Sequence, residues 1–418
     1  MPAPRFAVTV CLALAMSASA AEPQQHGHAG GATGPVHAGA HAVVLATHVA
    51  PAFDGESRTE AYLTQPTIFG GVSLLGGHLD LAATISLEGL TLERGELGPG
   101  SYGEGYVDRR HPHTYAHELI ATASGGARGV RASVTVGRGF APFGTDDPMG
   151  RPFVRYPANH HLGQVLERLI AVAAVAAGPV ILEAGVFNGD EPSEPGDVGT
   201  FERFGDSWAA RVTALPLSGI ELQLSHARVT SPELPTGGGW DQRKWSAAAR
   251  LEHVSRVGEL YALLEWKETT QVDDGDDVFS FGSVLAESSL TRGRWSVGLR
   301  AERTDRPEEE RTSPFRTPWP HPELHVLGIT RWTIVSARAE GAVEVGPLRL
   351  APFTELARAH AGDRVRGLFD AERFYGSRDI WSMSLGARLG IGAAHHRMGR
   401  YGAALPGPIH SSHVETHR

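Results

Sequence analysis

The chain has 418 residues, 41% hydrophobic and 20% charged, a mix that excludes both a bundle of transmembrane helices and wholesale disorder. A net charge of −9 disfavours a nucleic-acid partner, and a single Cys excludes a disulfide framework or a Cys-based metal or redox centre. Gly at 51 and Pro at 27 favour many turns over long helices.

Residues 1–20 read as a secretory signal peptide. Arg5 supplies the positive charge, Phe6 to Ala15 an apolar stretch too short to span a bilayer, and Ala18-Ser19-Ala20 a cleavage site. Cys11 lies inside that stretch, so the mature chain is expected to begin at Ala21 without Cys. Residues 21–41 then form a His- and Gly-rich leader carrying His26, His28, His37 and His41.

From 42 to 393 the dominant pattern is alternation with period two, as in a strand with one apolar and one polar face. Leu79, Leu81, Ala83, Ile85 and Leu87 oppose Asp80, Thr84, Ser86 and Glu88. Trp245, Ala247, Ala249 and Leu251 oppose Lys244, Ser246, Arg250 and Glu252. The same holds over 294–302 and 380–389, and over 130–136, 208–214 and 220–226. Short Gly-containing links at Leu74–Gly77, Gly125–Gly129, Ala177–Pro179, Pro216–Gly219, Ser255–Gly258, Thr291–Gly293 and Gly341–Gly346 alternate with longer polar segments. Those segments are 88–113, 138–163, 188–206, 230–242, 268–277, 305–322 and 359–379.

A soluble sandwich has no reason to sort its loops by parity, whereas an outer-membrane barrel has short periplasmic turns and long outer loops. With a first strand near 43–52, the reading is all-β: an antiparallel transmembrane β-barrel of about sixteen strands. Both termini are then periplasmic. Trp208, Trp245, Trp266, Trp295, Trp332 and Trp381 are expected on the lipid face, as are His226 and His253. The polar face, with Arg131, Arg211, Arg250, Arg300 and Arg388 against Glu88, Glu252 and Glu302, is expected to line the lumen. Loops 88–113 and 138–163 are expected to fold inward and narrow it.

In loop 101–118, His111, His113 and His117 sit close together beside Asp108 and Glu118. Imidazole and carboxylate together suit Zn²⁺ or Cu²⁺. The competing reading is a loop folded into the barrel, anchored by Asp108, Arg109 and Arg110. Loop 144–164 adds Asp146, Asp147, Asn159, His160 and His161, which join the first cluster if the loops meet. Candidate constriction residues are thus Asp108, Arg109, Arg110, Glu118, Arg131 and Arg211. Candidate metal ligands are His111, His113, His160 and His161.

The run Tyr106-Val107-Asp108-Arg109-Arg110-His111-Pro112-His113, after Leu87-Glu88-Gly89-Leu90-Thr91, resembles a family of bacterial outer-membrane proteins carrying VDRQHPHD. Asn159-His160-His161-Leu162-Gly163 and Phe187-Asn188-Gly189-Asp190-Glu191-Pro192-Ser193-Glu194 are similar to later family motifs, in the same order. The resemblance is densest over about 80–215. It departs at Thr114, where the family has Asp, and at Leu162, where it has Trp. It implies the barrel and its compartment, and no activity.

After the last strand, 394–418 is a His-rich tail with His395, His396, His410, His413 and His417. Such tracts hold Cu²⁺ or Zn²⁺ weakly. A Gly-x-Ser-x-Gly elbow, a P-loop, a Rossmann fingerprint and His-Glu-x-x-His are all missing, so no enzyme is expected. The chain thus reads as a porin-like channel of the bacterial outer membrane, meeting lipid and small polar solutes and requiring no cofactor. The alternative is a Cu- or Zn-binding outer-membrane protein using loop and tail histidines.

Overall fold

In the computed structural model the described residues are 35–405, apart from 53–54, 93–94, 99–108, 111–112, 159, 166, 310–325 and 394–396. The segment expected to be a signal peptide, most of the expected leader and the end of the expected tail lie outside them.

Sixteen strands follow one another around a closed antiparallel barrel. They are β1 (Val36–Ala50), β2 (Arg58–Leu74), β3 (Leu79–Ser86), β4 (Ala116–Ala127), β5 (Val130–Gly139), β6 (Arg168–Ala177), β7 (Val180–Phe187) and β8 (Ser207–Leu217). Then come β9 (Ile220–Val229), β10 (Asp241–Val254), β11 (Glu259–Asp273), β12 (Asp276–Arg292), β13 (Trp295–Glu309), β14 (Val326–Gly341), β15 (Leu348–Gly367) and β16 (Asp379–Gly392). A short strand, Val343–Val345, prolongs β14 along β15. Each strand pairs with its sequence neighbours, and β1 pairs with β16 from Gly39↔Gly392 to Ala50↔Trp381, so no edge is left open.

The alternation read from the sequence sorts the side chains as a membrane requires. Val44, Leu182, Leu224, Leu264, Val297, Leu299, Val335 and Leu385 are exposed on the outside. Arg211, Arg250, Glu265, Lys267, Arg300, Glu302 and Arg338 are buried on the inside. An apolar exterior of this extent belongs in lipid. The short links lie at one end of the barrel, the turn end, and the long ones at the other, the loop end. Of the six tryptophans placed outside, Trp208, Trp245, Trp266, Trp295 and Trp381 are exposed. His226 stands among them, with ring centroids 5.3 Å from Trp208 and 4.1 Å from Trp245.

Four expectations need correction. Trp332 faces inward and is fully buried: its Nε1 donates to Glu308 at 3.1 Å, and its ring meets Tyr375. Segment 268–277 is no long loop, because β11 and β12 continue through it and turn at Asp274-Gly275. The barrel begins at Val36 rather than 42, so His37 and His41 belong to β1 and not to a leader. Residues 397–405 are not a free tail, since they turn back into the lumen.

Candidate functional site: a charged lumen with two inserted segments

Among the described residues, two segments run deep into the barrel and part of a third turns inward beside them. The first, 140–165, joins β5 to β6 and crosses the lumen. At Gly144 the backbone has φ +71°, and an added Cβ would stand 1.9 Å from the Gly163 carbonyl oxygen, so only glycine lets the segment close on itself. Near its start the Gly144 N–H donates to Ser225 Oγ at 2.9 Å, and Arg211 donates to the Gly144 carbonyl at 3.0 Å. Further on, Arg151 pairs with Glu265 at 3.0 Å, and Lys267 with the same carboxylate at 3.1 Å. On the far wall the Arg155 N–H donates to Glu355 at 3.1 Å and the Ala158 N–H to Glu302 at 2.7 Å. Arg300 packs over Phe153 at 4.4 Å and donates to the Arg155 carbonyl at 2.8 Å.

Part of 88–113 also turns inward, as expected. Glu88 and Glu96 are buried, and Glu96 pairs with Arg155 at 2.9 Å.

The second segment, 397–405, enters from the turn end. Arg397 donates to Asp146 at 2.6 and 2.8 Å and to Glu221 at 2.9 and 3.1 Å. Arg400 donates to Glu183 at 3.1 Å, Thr213 at 2.9 Å and Glu221 at 2.9 Å. Tyr401 Oη donates to Glu118 at 2.9 Å and accepts the Phe140 N–H at 3.0 Å. Burial alone would raise the carboxyl of Asp146, but Arg250, Arg397 and Arg400 hold it well below the usual range.

Against these two segments the sequence-read constriction residues fall as follows. Asp108 lies outside the described residues. Arg109 and Arg110 form a short strand paired with Glu96–Leu97. Glu118 is buried and bonded to Thr84 and Tyr401. Arg131 is exposed at the turn end and donates to the Leu405 carbonyl at 3.2 Å. Arg211 is buried and holds Glu183 through two hydrogen bonds, each of 2.6 Å. Missed were Arg151, Arg155, Arg397 and Arg400, with the wall carboxylates they meet. Nothing in a local pattern marks such residues, since the partners lie on remote strands.

Of the candidate ligands, His111 lies outside the described residues. His161 belongs to the one-turn helix His160–Gly163. His113 and His160 do meet, with ring centroids 5.8 Å apart, and both are buried. The tail histidines His395, His396, His410, His413 and His417, like His26 and His28, lie outside the described residues. Beside His113 the structure brings His117 and Glu167, and ligand atoms of these three lie within 4.8 Å of one another. Thr114 accepts from Arg138 at 3.1 Å, and its N–H donates to Glu167 at 3.1 Å.

A closed barrel with an apolar exterior and a charged interior narrowed by an inserted segment can be set beside solved structures. The anion-selective porin from Comamonas acidovorans superposes with a TM-score of 0.50 over 85% of this chain and 99% of that one, at 14% identity. The fold is that of a porin. OmpF of Salmonella typhi, solved with daunomycin, gives a TM-score of 0.49 over 85% of this chain and 97% of that one, at 8% identity. No family model and no curated protein matches the sequence. The porin fold points to the bacterial outer membrane.

Proposed function

We propose that the protein is a channel of the bacterial outer membrane that passes small polar solutes, with the turn end in the periplasm. The observation that carries this reading is the chemistry of the lumen. Arg and Lys side chains alternate with carboxylates around the wall, and both inserted segments meet that wall through ion pairs and backbone hydrogen bonds as well as through small apolar clusters. A barrel interior built only for stability would gain more from apolar side chains, because burying ion pairs costs desolvation that a hydrophobic core avoids. Polar contacts are also those that water and solutes replace at least cost. Segments 140–165 and 397–405 both occupy part of the lumen, which favours small solutes, and 397–405 fills space at the turn end.

Liposome swelling tests the proposal. Vesicles carrying the folded full-length protein should swell in small amino acids and sugars and resist larger oligosaccharides. A chain ending at Gly392 should swell faster with the same solutes. Folded protein that gives no swelling in either form overturns the channel reading.

A further inference from the structure

We propose that His113, His117 and Asp147, braced by Glu167, form a binding site for one divalent ion of the Zn²⁺ class at the loop end of the lumen. The site is independent of whether the barrel conducts.

Strand β4 presents His117 through a bulge. Thr84 pairs with Glu118 and Ile85 with Ala116, which leaves His117 as the extra residue. A bulge re-aims side chains, and here both His117 and Glu118 are buried. His113 lies just before the same strand. Glu167 lies just before β6, and Asp147 belongs to the inserted segment.

The hydrogen bonds fix how the two rings are presented. Glu167 Oε1 lies 3.1 Å from His113 Nδ1, 2.7 Å from His117 Nδ1 and 3.1 Å from the Thr114 nitrogen. An ionised carboxylate only accepts, so both rings carry a proton on Nδ1. In the neutral ring Nε2 is then a lone-pair donor to a metal. Neither Nε2 has a hydrogen-bond partner, and both are buried. Asp147 Oδ2 is likewise buried without a partner, and it lies 4.0 Å from His117 Nε2. The two rings meet edge to face with centroids 4.6 Å apart.

His117 Nε2 and Asp147 Oδ2 are thus two buried acceptors 4.0 Å apart, which is unfavourable unless something positive lies between them. Two ligand atoms of a tetrahedral Zn²⁺ ion stand about 3.4 Å apart. His117 and Asp147 therefore need to close by less than 1 Å. Two imidazoles and a carboxylate are the donors of a borderline ion, with no thiolate to favour Cu(I). Glu167 behind both rings is the outer carboxylate that orients metal-bound histidines and raises their basicity. The ion would tie the inserted segment, through Asp147, to the wall, through His117.

The test uses folded full-length protein in detergent, stripped with chelator, in which His26, His28, His395, His396, His410, His413 and His417 are replaced by Ala. Titration with Zn²⁺ should show one tight site per chain. Titration with Co²⁺ should give the intense visible absorption of a four-coordinate nitrogen–oxygen site. Asp147→Asn and His117→Gln should abolish the tight site, and Glu167→Gln should weaken it by about 10–100-fold. Heat-dependent gel mobility reports folding of each variant. If His117→Gln does not fold, the isosteric Asp147→Asn decides. Two results overturn the proposal: no saturable Zn²⁺ site with only the weak spectrum of hydrated Co²⁺, or unchanged affinity in folded Asp147→Asn.

Discussion

Arg397 holds Asp146 through two hydrogen bonds, of 2.6 and 2.8 Å. Asp146 lies in the segment inserted between β5 and β6, and Arg397 begins the segment that re-enters after β16. The same guanidinium also grips Glu221 on the wall. One ion-pair junction therefore joins both inserted segments to the barrel. Replacing Arg397 and Arg400 together by Ala should release 397–405 from the lumen. Limited proteolysis of detergent-solubilised protein checks this: the segment is protected in the parent protein and cleaved in the double variant, while the barrel stays intact.

The junction should survive mild acid. Arg250, Arg397 and Arg400 keep Asp146 well below the usual carboxylate range despite its burial. A depressed folded-state value means that the pairing contributes fully above the unfolded value of about 3.9 and is lost only as pH falls through the lower folded value. Hydrogen exchange of 397–405, corrected for intrinsic rates, should thus show equal protection at about pH 7 and about pH 4.5. Loss of protection already near pH 5 would show that Asp146 is not held this way.

Arg211 and Glu183 form a fully buried bidentate pair at the wall. Arg211→Met should destabilise the barrel by about 3 kcal/mol, because among the described residues it leaves Glu183 with only Arg400 as a charged partner. Replacing both Arg211 and Glu183 by apolar residues should cost less than the single change. Urea unfolding in detergent, followed by Trp fluorescence, measures both.

The placement of the tryptophans has a spectroscopic consequence. Trp245 is 42% exposed on the lipid face and Trp332 is 0% exposed inside the barrel. Brominated acyl chains should quench Trp245 strongly and Trp332 hardly at all. Single-tryptophan variants in brominated-lipid vesicles separate the two.

The barrel was legible because its signal repeats. Period two recurs in strand after strand, and glycine marks the turns. The reading weakened where the physics changes along a strand. Near Thr269, Thr270 and Gln271 the strands carry polar residues on both faces, so apolar alternation stops while the ladder continues to Asp274-Gly275. Trp332 misled for a related reason: beneath the loop end the lumen holds an apolar cluster with Ile334, Phe369 and Tyr375, so an inward aromatic is stable there. The candidate site was legible only in part. His113 and His117 stand close in sequence, whereas Glu167 is 54 residues from His113 and meets it only once the barrel has closed. Tyr401 and Glu118, 283 residues apart, gave no local pattern to read.

Single-channel recording in planar bilayers tests the central claim most directly, with the full-length protein and a chain ending at Gly392 compared under the same conditions. The account predicts discrete conductance steps, small for the full-length protein and several-fold larger without residues 393–418. Folded protein that inserts and gives no steps in either form would contradict it.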